Sequence, residues 1–78
     1  MDAEELLERY AKGDRQFAKA QLSGADLKGA DLSRINLDNA NLSGADLSEA
    51  ILTGAYLQST NLTKASLRGA NLSQGKRI

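Results

Sequence analysis

A bulky apolar residue returns at every fifth position without a gap: Phe17, Leu22, Leu27, Leu32, Leu37, Leu42, Leu47, Leu52, Leu57, Leu62, Leu67 and Leu72. Two positions before most of them stands a small residue, as in Ala20, Ala25, Ala30, Ala40, Ala45, Ala50, Ala55, Ala65 and Ala70, with Arg15, Ile35 and Thr60 as the exceptions. Between the two lies mostly Asp or Asn, and the remaining positions are polar or Gly. A period of five fits neither a 3.6-residue helix nor a two-residue strand, because on either one the leucines would not share a face. It fits a chain in which each five-residue unit forms one side of a square and then turns a corner. Four units then close a coil of 20 residues, and each residue stacks on the one 20 positions earlier.

That arithmetic predicts four interior columns: Phe17/Leu37/Leu57, Leu22/Leu42/Leu62, Leu27/Leu47/Leu67 and Leu32/Leu52/Leu72. Small residues let the backbone turn in closely. Asp and Asn suit corners because they hydrogen-bond local backbone, and glycines such as Gly24 and Gly44 relax the same corners. Phe17 is expected to fill the wider space at the start of the stack. Ile35, in a slot made for Ala, is expected to bulge its face, and Arg15 is expected at the rim.

Units such as Ala25-Asp26-Leu27-Lys28-Gly29 and Ala40-Asn41-Leu42-Ser43-Gly44 resemble the A(D/N)LxX signature of the pentapeptide-repeat family, over 60 of the 78 residues. The resemblance implies an all-β solenoid: a right-handed quadrilateral β-helix of about three coils. The stretch from Leu7 to Phe17 is similar to the leader of small cyanobacterial-type members. The expected division is a capping helix in residues 1–14, the β-helix in residues 15–74 and a short polar tail in residues 75–78.

The start of the chain reads differently from the rest. Asp2 followed by Glu5 has the form of a capping box, and Glu4 and Glu5 favour a helix N-terminus. Leu6, Leu7, Tyr10 and Ala11 share a face at helical spacing, and Gly13 supplies a left-handed stop. A helix over residues 2–12 is therefore predicted to cap the solenoid, whose open end would otherwise expose apolar side chains and unpaired strand groups. The six residues after Leu72 are too short and too charged for a second cap. The last coil is thus expected to be open, self-associated as a homodimer, or continued in a longer chain.

No catalytic, cofactor-binding or metal-binding residue is assigned. The chain has no His or Cys, which removes the commonest acid–base, nucleophilic and zinc-binding side chains. Asp26 and Asp46 share a column and read as structural residues on a solvated face. The glycines follow the repeat and not a phosphate-binding loop. A filled Leu and Ala core leaves no cofactor pocket.

Ten basic and ten acidic residues cancel, which argues against a nucleic-acid-binding surface. Some longer members of the family mimic DNA and bind type II topoisomerases. This chain departs from that alternative in its length and its zero net charge. No apolar run approaches the ~18 residues of a membrane span, and the opening residues are acidic, so the expectation is a soluble cytoplasmic protein. The charge is polarised: every acid lies in residues 1–49, while residues 50–78 carry only Lys64, Arg68, Lys76 and Arg77. Ile51 and Tyr56 occupy slots usually held by Asp or Asn, and with Lys64 and Arg68 they form the candidate contact surface for a protein partner. The columns Ser23/Ser43/Thr63 and Ser33/Thr53/Ser73 make hydroxyl ladders too small for an ice-binding plane. The functional reading is a non-enzymatic structural or protein-interaction module.

Overall fold

The computed structural model describes residues 1–75. Eight parallel β-bridges tie residues 20 positions apart, from Gln16–Asn36 to Ile51–Asn71. They fall into four columns, 16/36/56, 21/41/61, 26/46/66 and 31/51/71, so the predicted 20-residue register holds throughout. The bridges are single residues because each side of the coil is short: one bridged residue, one inward Leu, then a two-residue turn.

Each turn is closed by a bond from the N–H three residues after the inward residue to that residue's carbonyl, as in Ala25 to Leu22 (3.0 Å) and Ala45 to Leu42 (3.0 Å). The third turn position has positive φ in every unit, as a type II turn requires. Gly takes it at five of these positions, but Lys19, Arg34, Asn39, Glu49, Ser59, Lys64 and Gln74 adopt φ of 59–66° without that freedom. This position, two residues after each Leu, is where the corner lies. Asp and Asn stand elsewhere, at the bridged residue before the Leu, and reach forward into the turn: Asn41 Oδ1 accepts from Ser43 N–H (3.0 Å) and Asp46 Oδ1 from Ser48 N–H (3.0 Å). Successive coils are laced by ladder bonds of 2.7–2.9 Å, as in Leu22 N–H to Asn41 carbonyl and Asn41 N–H to Ala20 carbonyl.

The leucines fill the interior. Phe17, Leu22, Leu27, Leu32, Leu37, Leu42, Leu47, Leu52 and Leu57 are buried, whereas Leu62, Leu67 and Leu72 in the last turn are only partly so. Ile35 is fully buried, and its face does not bulge. The ladder runs through it unbroken, with Asn36 N–H to Arg15 carbonyl at 2.8 Å and Tyr56 N–H to Ile35 carbonyl at 2.9 Å. The equivalent residue one coil earlier is Arg15, whose side chain turns away to stack on the Tyr10 ring (3.7 Å). Thr60, the other large residue in an Ala slot, donates its hydroxyl to the Leu37 carbonyl (2.8 Å).

The first segment is helix α1 (Ala3–Ala11), with Asp2 as N-cap accepting from Glu5 N–H and Lys12 as C-cap. Gly13 (φ 100°) follows, and the bonds Gly13 N–H to Tyr10 carbonyl and Asp14 N–H to Arg9 carbonyl form a Schellman stop. Leu6 is fully buried against the solenoid, and Ala3 and Tyr10 pack beside it. Leu7 does not join them. It is 39% exposed, because the buried face runs through positions 3, 6 and 10 and turns residue 7 outward. Lys76, Arg77 and Ile78, most of the predicted tail, lie outside the described residues. Among the described residues no helix is long and apolar enough to cross a membrane.

Candidate functional site

The carboxylates are engaged by their own turns. Asp31 Oδ1 accepts from both the N–H and the hydroxyl of Ser33 (3.1 and 2.7 Å), and Asp46 Oδ1 does the same with Ser48 (3.0 and 2.6 Å). The serine hydroxyls, then the turn N–H groups, hold both carboxyls below the usual Asp range. Asp14 is held low first by the Gln16 N–H and then by Arg9. Asp26 and Asp46 are bridged neighbours, but Asp26 accepts from Lys28 N–H (3.2 Å) and so turns into its own corner. Among the described residues no group of three or more acidic side chains is placed to hold a metal ion. The hydroxyl ladders are likewise tied into the fold. Ser23 and Ser43 hydroxyls meet at 3.1 Å, and Ser33 is held by Asp31.

Ile51 and Tyr56 interrupt this pattern. Each fills the bridged slot where Asp or Asn would accept from the turn, and each is well exposed (39% and 43%). The N–H of Gln58, deprived of its local acceptor by Tyr56, is taken instead by Asp38 Oδ1 from the coil before (2.8 Å). No acceptor replaces the missing one for Thr53 N–H among the described residues. Ile51 and Tyr56 stand on adjacent sides, flanking the Thr53–Gly54 corner.

An open cleft of about 300 Å³ lies at that corner, lined by Arg34, Gly54, Tyr56 and Gln74. Arg34, Gly54 and Gln74 are the same turn position in three successive coils. A Cβ on Gly54 would come within 3.3 Å of Arg34 Cγ, so the arginine stem lies across the bare glycine. Arg34 makes no ion pair among the described residues. The register places Lys64 and Arg68 on the other two sides of the coil, so the structure does not bring them together with Ile51 and Tyr56. Arg34 and Gln74, which it does bring to Tyr56, are unassigned by the sequence reading. Counting in twenties places both on one corner, and that was the available signal.

A family model described as pentapeptide repeats matches residues 16–54 and 35–74, in eight copies. The chain belongs to the pentapeptide-repeat family. Among solved structures it is similar to alr5209, a pentapeptide repeat protein from Nostoc Pcc 7120, at 35% identity over 97% of this chain and 75% of that one, with a TM-score of 0.43. No curated protein matches the chain. The repeat register and family membership together make this pentapeptide-repeat solenoid a right-handed β-helix. Proteins of this family are generally non-enzymatic repeat proteins.

Proposed function

We propose that this protein is a non-enzymatic interaction module: a β-helix of three coils whose rigid outer sides, not its interior, meet a partner protein. The observation that carries the reading is the use made of each kind of residue. Among the described residues the buried side chains are all apolar, a core with no polar group to orient a cofactor, and the regular carboxylates are tied into turns. What remains free is a backbone held rigid from coil to coil, carrying two out-of-pattern apolar residues and the cleft beside Tyr56. Such residues break the local rule, and departures of that kind are expected where a surface serves binding. The test is a turnover screen over hydrolase and transferase substrates. Activity abolished by substituting a single surface residue would overturn the reading.

Self-association through the last turn is a second reading, favoured by the half-buried Leu62, Leu67 and Leu72 and by a sheet edge able to template another. Sedimentation equilibrium with Leu62→Asp and Leu72→Asp variants tests it. A concentration-dependent dimer lost in both variants is the expected result, and a monomer at every concentration removes the idea. The DNA-mimic alternative gains nothing from a neutral chain whose later part carries no acidic residue.

A further inference from the structure

The interaction-module reading leaves open what chemistry the surface recognises, and the Arg34 corner bears on that. Arg34 presents a planar fork of donors suited to a two-oxygen acceptor. Asp31, three residues before Arg34, is committed to Ser33 and forms no ion pair with Arg34. Tyr56 and Gln74 line the same cleft, and neither side chain hydrogen-bonds to another described residue. Gly54 keeps the floor low, since any side chain there would meet the arginine stem. The corner therefore gathers one cation, one phenol, one amide and bare backbone. Exposed Ile51 lies three residues before Gly54, on the adjoining side.

Charge selects the occupant. No acidic residue occurs after Glu49, so Gly54, Tyr56 and Gln74 bring no carboxylate of their own to the cleft, and those of the coil before, Asp31 and Asp38, are bound to Ser33 and to the Gln58 N–H. A phosphate carries nearly two negative charges and three acceptor oxygens. It would call for a second cation beside Arg34, and among the described residues the cleft lining has none. A carboxylate, with one charge and two oxygens, matches one guanidinium. Arg and Tyr are also the residue types that most often dominate protein interfaces. We propose that this cleft is a peptide-binding site that takes the Asp or Glu carboxylate of a partner protein's segment on Arg34, with an adjacent apolar side chain of that segment resting on Ile51 and the Tyr56 ring. The inference rests on the interaction-module reading and makes it specific.

The Tyr56 slot allows a variant that deletes the site without harming the fold. Asn is the residue that the pattern favours at this position, and its Oδ1 offers the Gln58 N–H a local acceptor in place of the Asp38 Oδ1 that now holds it. Tyr56→Asn should thus fold at least as well as the parent chain. The experiment is an amide NMR titration of the full chain with acetyl-Glu-Ala-Leu-amide, and with acetyl-Gln-Ala-Leu-amide as the neutral probe. Saturable shifts concentrated at Arg34, Gly54, Tyr56 and Gln74 are expected. Binding should be at least about tenfold weaker for the Gln probe, as the loss of a charge-assisted hydrogen bond predicts. Arg34→Gln and Tyr56→Asn should abolish the shifts with the rest of the spectrum intact. Absence of saturable shifts, or equal response to both probes, overturns the cleft proposal. Shifts centred on Lys28 or Arg68 also overturn it, while leaving the interaction-module reading standing. That reading fails separately, on the turnover screen.

Discussion

At the first coil, helix α1 closes over the leucine columns: Leu6 is fully buried and Phe17 and Leu22 beneath it are as dry as the middle of the stack. At the last described turn, Leu62, Leu67 and Leu72 belong to the same columns and are only partly buried. At matched positions, Leu22, Leu27 and Leu32 against Leu62, Leu67 and Leu72, the repeat supplies the same side chain, so the difference comes from what lies above them. A pentapeptide unit makes its ladder bonds with neighbours and little within itself, and its stability depends on being sandwiched. The capped end also solves a hydrogen-bond problem that the repeat alone cannot. By the ladder register, the Ser33 carbonyl should accept from Asp14 N–H, but that N–H is used in the helix stop. The Tyr10 hydroxyl takes the carbonyl instead (2.8 Å).

The comparison is broken most directly by emptying matched leucine sites. Leu47→Ala, in the sandwiched middle, should cost about 2–5 kcal/mol, enough to unfold a domain of this size or nearly so. Leu67→Ala, one coil later in the same column, should cost about 1–2 kcal/mol, because a partly exposed side chain has less transfer energy to lose and leaves a smaller cavity. Urea unfolding of the two variants measures both. Equal costs would mean that Leu67 is covered in solution, and would move the weight to the self-associated reading.

The capped end is probed by Tyr10→Phe. The ring can still stack on Arg15, but the Ser33 carbonyl loses its donor, and about 1–2 kcal/mol should be lost. Amide exchange should show the loss confined to α1 and the first coil. A spread of faster exchange into residues 56–75 would show that the stack unfolds as one unit and that the ends are not separate.

How far these contrasts are visible in the bare sequence depends on which residues advertise them. The columns and the 20-residue register are legible, because a strict period of five has almost no other packed solution. The exposure of Ile51 and Tyr56 is legible from the same period. The outward turn of Leu7 is not, since Leu6 and Leu7 both suit an apolar helix face and only docking decides between them. Nor is the fit of Ile35: a side chain larger than Ala in that slot suggests a bulge, yet it is buried with the ladder intact on both sides. The left-handed corners are hidden wherever the residue is not Gly: nothing in Lys19, Arg34 or Glu49 announces φ near 60°. The cleft is hidden for the related reason that its residues, Arg34, Gly54 and Gln74, are far apart in sequence and share only a position modulo 20.

Those hidden corners supply a smaller prediction. A non-Gly residue held at φ near 60° carries about 1–2 kcal/mol of strain, offset by the roughly 0.5–1 kcal/mol that Gly loses in unfolded-chain entropy. Glu49→Gly and Lys64→Gly should therefore each stabilise the fold by up to about 1 kcal/mol in denaturant titration. The Glu49 stem lies over Gly69, with its Cγ 3.3 Å from where a Cβ on that glycine would be, and Glu49→Gly also uncovers that glycine. The gain should accordingly be larger for Lys64→Gly, in the last turn. The reverse order would indicate that the last turn is already relaxed, with its corners free to change φ.

Acid provides the mildest separation of the two ends. Asp14, Asp31 and Asp46 all have folded-state carboxyls held below the usual range, each through hydrogen bonds from its own turn, with Arg9 adding to the effect at Asp14. A carboxyl whose folded pKa is depressed binds protons more readily in the unfolded chain, so the stability it contributes is complete above the ordinary Asp value of about 4 and is lost as pH falls through the lower folded value. All three lie in α1's stop or in the first two coils. In the last turn the equivalent bridged positions are Tyr56, Asn61, Ser66 and Asn71, none of which carries a carboxyl group. Lowering the pH below about 4 should thus reduce amide protection, taken against the intrinsic exchange rate at each pH, in residues 14–50 and leave that of residues 60–75 comparatively unchanged. Asp46→Asn keeps an Oδ1 acceptor for the Ser48 N–H but no longer titrates, so it should flatten the acid response around its own turn and leave that around Asp31 in place. A uniform response along the chain would mean that the coils exchange only by unfolding together, and that the difference in burial between the two ends does not extend to their stability.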